Sequence, residues 1–143
     1  MQQRTEFTLD GDLQQLGRLA EEVARFCREN NLSEDVEFEM NLTMEELFAN
    51  AVRHGSCRGV PGVVRIRLDR TSDGVRAEFA DRGAPFDPTG APAPDLEAPL
   101  DERPTGGLGL HLVRQTMRDL EYRRVDGWNV LTMVRPIPAR ESQ

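Results

Sequence analysis

The stretch EELFANAVRHG, residues 45–55, ends a helical segment and carries the polar residues that decide how the chain is interpreted. Apolar side chains over residues 34–54 recur at spacings of three and four, which predicts an amphipathic helix. At about 100° per residue, Glu46, Asn50 and His54 form a row beside the apolar stripe. A carboxylate and an amide oxygen one turn apart at the border of the core can face a pocket.

Two interpretations of this row are open from its spacing. In the chemical one, the amide oxygen of Asn50 ligates Mg²⁺, which prefers hard oxygen donors, and Glu46 accepts a proton from a nucleophile. In the other, the row is a solvated helix flank whose last residue, His54, is favoured by the helix dipole. Glutamate and asparagine four residues apart are common on helices, so this segment alone does not decide between the two.

A second polar segment, FADRGAPFD, residues 79–87, ends an alternating apolar strand. The carboxylate of Asp81 can accept a hydrogen bond from an exocyclic amine, and Gly83 lets a planar ligand or the backbone approach closely. A simple Asp-x-Gly turn at the end of a strand would have the same sequence. The segment therefore indicates either a ligand contact or a turn.

The third segment, TGGLGLHLV, residues 105–113, places glycines at the start of a predicted helix. Backbone N–H groups in such a loop can converge on a phosphate at the positive end of the helix dipole. It is not a dinucleotide fingerprint, because Leu112 stands where a third glycine is expected. A cluster of hinge glycines is the alternative.

The remaining periodicities indicate an α+β fold. The predicted helices are 12–29, 34–54 and 108–117, and the predicted strands are 3–9, 63–69, 75–80, 121–125 and 129–134. Residues 84–105 hold six prolines, five acidic residues and one arginine, which predicts a long loop or lid. We expect a two-layer sandwich, with helices packed on one face of a largely antiparallel mixed sheet, in one domain over residues 1–135 with a frayed tail over 136–143.

Composition argues against several classes of function. The formal net charge of −7 disfavours binding to nucleic acids and anionic membranes, and all 18 basic residues are arginine, which excludes mechanisms that need a lysine. Without a membrane-spanning apolar run or a leader at Met1, a cytoplasmic protein is expected. Cys27 and Cys57 are expected to be buried thiols, and together with the two histidines they have no zinc-ligand spacing.

In this order and spacing, the three polar segments resemble the motifs of the GHKL superfamily, which includes gyrase, histidine kinases and mismatch-repair ATPases. Its ATP-binding domain has the Bergerat fold. More closely, EELFANAVRHG, DRGAPFDP and GGLGLHLVRQTMRDLEYRR with the later GWNVLTMVR are similar to the anti-sigma-factor serine/threonine kinases of bacterial partner switches. The resemblance extends from Phe7 to Arg135.

The resemblance implies roles for individual residues. Glu46 would be the general base, Asn50 the Mg²⁺ ligand and Asp81 the partner of the adenine amine. Gly83 would leave room for the adenine, and Thr132 matches a threonine that supports adenine recognition. The resemblance also implies nucleotide contacts for Arg53, His54, Arg103, Thr105, Gly106, Gly107, Leu108, Gly109 and Leu110. Among these, Gly107 and Gly109 would lie against the phosphates under the lid.

The same resemblance implies a protein serine/threonine kinase that uses ATP and Mg²⁺. Its substrate would be a small anti-sigma factor antagonist of the STAS type, and it would sequester a sigma factor or another regulator. A homodimer is implied, without a nucleic-acid or membrane partner. A nucleotide-gated anti-sigma binding module with little or no kinase activity is the alternative, and ATP hydrolysis used as a conformational switch is a third possibility.

Overall fold

The computed structural model describes residues 4–54, 56–87 and 113–138. In chain order the helices and strands are β1 (Arg4–Leu9), α1 (Leu16–Glu29), α2 (Glu34–His54), β2 (Val64–Arg70), β3 (Gly74–Asp81), β4 (Arg118–Val125) and β5 (Trp128–Pro136). Strands β1, β2, β3 and β5 match the predicted segments to within two residues at each end. The spacing of apolar residues, with a period of 2 in strands and 3.6 in helices, therefore predicted most of the helices and strands correctly.

The two helices pack on each other and on one face of the sheet. A 3-10 turn, Leu13–Gln15, leads into α1, and the Asp12 carboxylate caps it by accepting from the Gln14 N–H at 2.9 Å. In α2 every residue of the expected apolar stripe is buried, and so are Phe48 and Val52, which makes the buried face wider than predicted. No helix in the described part of the chain has the length and apolar character of a membrane span.

The sheet has the strand order β1-β2-β3-β5-β4, and each of these four pairings is antiparallel. Directly opposed residues share a face, and neighbours along a strand alternate between faces. Phe79 of β3 and Leu131 of β5 are opposed and belong to the hydrophobic core, so this face lies against the helices. Ala80 and Val130 are also opposed but lie outside that core, on the outer face.

The outer face of the sheet is formed mainly by long polar side chains. Two guanidinium groups lie over the ring of Trp128, that of Arg65 at 4.7 Å and that of Arg82 at 5.5 Å from the ring centre. Arg65 also lies 3.9 Å from the Glu78 carboxylate. These side chains cover the small residues beneath them, so the outer face is not apolar.

Strand β4 begins earlier than its sequence pattern indicated. It starts at Arg118, three residues before the expected start at Glu121, and its register against β5 shifts between those two residues. Asp119 within the shift has a positive φ of 56°, as β-bulges often require. The helix predicted just before it is present as one turn over residues 113–116, and residues 108–112 lie outside the described part.

Residues 136 and 137 differ from the prediction of a frayed tail over 136–143. Strand β5 includes Pro136, and Ile137 is only 7% exposed. The Ile137 N–H donates to the Asp73 carbonyl at 2.9 Å, which fixes the chain beside the β2–β3 turn. Residues 136 and 137 therefore pack with the sheet, and residues 139–143 lie outside the described part.

Candidate nucleotide site

Asp81 ends β3 and lies opposite Asn129 of β5 on the core face of the sheet. Its Oδ1 accepts from the Gly83 N–H at 2.9 Å and from the Asn129 side-chain amide at 3.0 Å, and the Cys57 sulfur lies 3.8 Å away. Among the described residues, none donates to Oδ2. One carboxylate oxygen is therefore fixed by the protein, and the other can accept from a ligand amine.

Gly83 lies in a space that has no room for a side chain. A Cβ at this position would come within 3.0 Å of both Asp81 Oδ1 and Cys57 Sγ, and 3.3 Å from the Ser56 backbone nitrogen. The requirement is steric, since any side chain would displace either the carboxylate or the chain that follows α2. The atoms that approach Gly83 belong to the protein itself, and its proposed contact with adenine stays a prediction.

Both cysteines are buried free thiols, as the sequence predicted. Burial raises the pKa of Cys57 from 9.0 to about 11, and the negative charge and hydrogen bonding of Asp81 add to the rise. Burial also raises the pKa of Cys27 to about 12, with a contribution from Glu37. At neutral pH Cys57 is therefore a protonated thiol beside Asp81.

Asn129 is a site residue that sequence reasoning missed. It is 6% exposed. Its Oδ1 accepts from the Tyr122 hydroxyl at 2.6 Å, from Arg124 Nη1 at 3.1 Å and from the Phe86 N–H at 3.3 Å. Its amide nitrogen also donates to the Ala84 carbonyl at 2.9 Å. Asn129 lies opposite Asp81 through the register between β3 and β5, and the turn before β5 fixes only the register between β4 and β5, so no local signal in the sequence indicated it.

The structure does not bring Thr132 to this cluster. Thr132 is opposed to Glu78 on β3 and lies three residues from Asn129, so alternation puts it on the outer face. It is 6% exposed there. The expectation that Thr132 supports adenine recognition therefore disagrees with the face on which the strand places it, and Asn129 occupies the position beside Asp81.

The described side chains of the polar row on α2 are those of Glu46 and Asn50. Glu46 and Asn50 are both half-buried, whereas Arg53 is exposed. Asn50 makes no side-chain hydrogen bond within the described part of the chain, which leaves its amide oxygen available as a hard donor of the kind that Mg²⁺ prefers. Within the same residues, no three histidine, cysteine or carboxylate side chains form a cluster that could hold a metal ion.

Contacts near both ends of α2 fix it against the sheet. Glu39 accepts from Arg135 Nε of β5 at 2.8 Å, and it lies two turns before Glu46 on the same flank. At the other end, the chain leaving the helix brings Cys57 against Asp81. Helix α2 therefore runs antiparallel to β5, with the flank that carries the polar row between the two contacts.

The other predicted nucleotide contacts lie outside the described part of the chain. For His54 this applies to its side chain alone, since its backbone ends α2. The remaining residues in this group are Arg103, Thr105, Gly106, Gly107, Leu108, Gly109 and Leu110. The predicted lid is described over residues 84–87 only, which have no regular secondary structure.

Comparison with known proteins agrees with this arrangement. Residues 9–135 match the family model of the histidine kinase-like ATPase domain. The chain belongs to this family. It is 41% identical over 96 residues to the serine/threonine-protein kinase BtrW of Bordetella bronchiseptica, which covers 67% of the chain and 68% of that protein. The similarity confirms the class of protein serine/threonine kinases that the three motifs indicated.

Two further similarities are more distant. The serine-protein kinase RsbW of Bacillus cereus (strain G9842) is 28% identical over 102 residues, which is 68% of this chain and 62% of that protein. The crystal structure of the RsbU and RsbW domains of Rv1364c from Mycobacterium tuberculosis matches 98% of this chain with a TM-score of 0.68 and 18% identity. The chain spans 34% of that longer protein, and the match confirms the α+β fold.

Proposed function

We propose that this protein is an ATP- and Mg²⁺-dependent kinase of a bacterial partner switch, which phosphorylates a serine or threonine of a small anti-sigma factor antagonist. The observation that carries the proposal is the asymmetric carboxylate of Asp81, whose Oδ1 is held by protein donors while Oδ2 has none among the described residues. The adenine amine is a donor that this oxygen can accept. The kinase names of the relatives support transfer to a protein.

The chemistry would take place along the flank of α2. The hydroxyl oxygen of the substrate would bond to the γ-phosphorus of ATP while the bond between that phosphorus and the β,γ-bridging oxygen breaks and ADP leaves. Glu46 would accept the hydroxyl proton. Asn50 would hold Mg²⁺ through its amide oxygen, and bound Mg²⁺ supplies neutralisation of phosphate charge. Half-burial restricts both side chains, which suits a reaction that depends on positioning.

The partners follow from the same proposal. The antagonist would be of the STAS type, and the kinase would also sequester a sigma factor or a similar regulator in the cytoplasm, as a homodimer. Because the chain has no lysine, arginine side chains and backbone N–H groups would contact the phosphates. Light scattering of the purified protein tests the dimer separately from the chemistry.

Two adjacent glutamates allow a matched test of the kinase. With γ-labelled ATP and the cognate antagonist, wild-type protein should label the antagonist, and Glu46→Ala should abolish labelling while ADP still binds. Glu45→Ala is the control, because Glu45 lies on the opposite flank of α2, where Asn41 donates to it at 3.3 Å. Normal labelling by Glu46→Ala would remove Glu46 as the base, and undetectable ADP binding by wild type would remove the nucleotide function.

The same experiment separates the alternative function. If Glu46→Ala stops phosphorylation but the protein still captures the regulator in the presence of nucleotide, then binding and catalysis are separate activities. If wild type captures the regulator and never labels the antagonist, the nucleotide-gated binding module replaces the kinase.

A further inference from the structure

The orientation of the Asn129 amide is determined by the chemistry of its neighbours. Its oxygen lies against Arg124 Nη1 and the Phe86 N–H, which can only donate. Its nitrogen lies against the Ala84 carbonyl and the Asp81 carboxylate, which accept. Exchanging the oxygen and nitrogen would oppose donor to donor and acceptor to acceptor.

Both N–H groups of this amide are in use, one toward Asp81 and one toward Ala84. Asn129 is 6% exposed, so water cannot readily replace either bond. The Asn129 amide therefore limits rotation of the Asp81 carboxylate, together with the Gly83 N–H. With Oδ1 held by these two donors, Oδ2 is the oxygen that remains for a ligand.

We propose that Asn129 is a positioning residue that sets the preference of this site for 6-aminopurines over 6-oxopurines, acting through Asp81. The proposal rests on the proposed nucleotide function and deepens it. A carboxylate oxygen fixed in place accepts from a 6-amino group and repels a 6-oxo group. If the carboxylate could turn, it could move away from the oxo group, and the site would discriminate less between the two purines.

The same amide connects the carboxylate to the chain that follows β3. Its nitrogen donates to the Ala84 carbonyl, and its oxygen accepts from the Phe86 N–H. Arg124, which also donates to this oxygen, donates to the Gly83 carbonyl at 2.8 Å. A change in the backbone of residues 83–86 therefore acts on the group that orients Asp81. Purine recognition and the conformation of this short segment are coupled through Asn129.

The first test compares binding of ADP and inosine diphosphate by calorimetry. We expect wild type to prefer ADP by at least about 30-fold, as sites that hydrogen-bond a substrate amine do. Asn129→Asp keeps the size and the acceptor side of the amide but places a carboxylate oxygen against Asp81. The preference should fall to less than about threefold, through weaker ADP binding with little change for inosine diphosphate. If the variant weakens the binding of ADP and of inosine diphosphate equally, the proposal is overturned, since a general structural role predicts that result.

Neighbouring arginines on β4 supply a matched control. Arg124 faces the site and bonds the Asn129 oxygen, whereas Arg123 is opposed to Val130 on the outer face. Arg124→Ala should reduce the ADP preference, and Arg123→Ala should leave it unchanged. Equal effects of the two variants would contradict the proposal. If Asn129→Asp does not fold, Tyr122→Phe removes one hydrogen bond to the same oxygen and should reduce the preference in the same direction.

A second measurement does not need a nucleotide. In the free protein, the Gly83 amide proton should exchange with solvent at least about ten times faster in Asn129→Asp than in wild type, because its acceptor Asp81 is no longer held. Arg123→Ala should exchange as wild type does. Unchanged Gly83 exchange in Asn129→Asp overturns the positioning role, even if ADP binds. Accelerated exchange with no ADP binding by wild type would instead reject the nucleotide function alone.

Discussion

Gly83 lies so close to Cys57 that a Cβ on residue 83 would come within 3.0 Å of the cysteine sulfur. The two residues belong to separate turns, one after β3 and one after α2. Asp81 lies beside both, since its Oδ1 accepts from the Gly83 N–H and faces the Cys57 thiol. The position of α2 relative to the Asp81 carboxylate therefore depends on a glycine.

We expect Gly83→Ala to lower ADP affinity at least about tenfold and to destabilise the fold by about 1–3 kcal/mol, because the added methyl group must displace the carboxylate or the thiol. Calorimetry and urea unfolding measure the two effects. Gly17→Ala is the control, since Gly17 is in α1 with nothing within 4 Å of its added Cβ. It should change the free energy of unfolding by less than about 1 kcal/mol. ADP binding by Gly83→Ala at the wild-type affinity would contradict the expectation that the added methyl group disturbs a carboxylate that binds the ligand.

The Cys57 thiol predicts a loss of stability at alkaline pH. Its pKa is raised to about 11 in the folded protein, from 9.0. Below pH 9 the thiol is protonated in both states and its contribution is fully present. Above pH 9 the unfolded chain loses the proton first, so the free energy of unfolding falls until the pH passes about 11.

Urea unfolding of wild type and Cys57→Ala in reducing buffer, between pH 8 and 11, measures this contribution. The stability advantage of wild type over the variant should shrink as the pH rises. Cys27 is present in both proteins, so its own raised pKa cancels in the difference. Parallel curves for the two proteins would be inconsistent with a raised pKa at Cys57.

Thr132 tests which face of β5 meets the ligand. Thr132→Val should change ADP affinity by less than about twofold, because the residue lies on the outer face, away from Asp81. Asn129, three residues earlier and equally buried, should respond strongly to substitution. ADP titrations of Thr132→Val and Asn129→Asp measure which of the two residues affects ADP binding. A large loss of affinity in Thr132→Val would restore the role that the family resemblance implied.

The fold was largely predictable because its signals are local. Apolar spacing located α2, and alternation located the strands, since both follow from which face of an element meets the core. The start of β4 was not predictable in this way, because the bulge at Asp119 depends on pairing with β5. The position of Asn129 beside Asp81 was not predictable for a related reason, as it needs the register between two strands about 50 residues apart in the chain.

The ion pair between Arg135 and Glu39 should stabilise the packing of α2 on β5. The Arg135 side chain is 10% exposed, and its Nε donates to Glu39 at 2.8 Å. Glu39→Ala would remove the carboxylate that accepts from Arg135 Nε, a charge-assisted contact of a largely buried side chain, so we expect a loss of about 1–3 kcal/mol in urea unfolding. Asp69→Ala, which removes the carboxylate shared by the exposed side chains of Arg4 and Arg67, should cost less than about 1 kcal/mol. Equal losses in the two variants would contradict the role of burial.

The two arginines that lie over the ring of Trp128 have a practical consequence. Trp128 is the one tryptophan in the sequence, it adjoins Asn129, and it lies against Arg82, the residue between Asp81 and Gly83. Its fluorescence depends on how closely the guanidinium groups lie over the indole. A ligand that moves this turn should change the emission of a single intrinsic fluorophore, so that occupancy can be followed in real time without a dye.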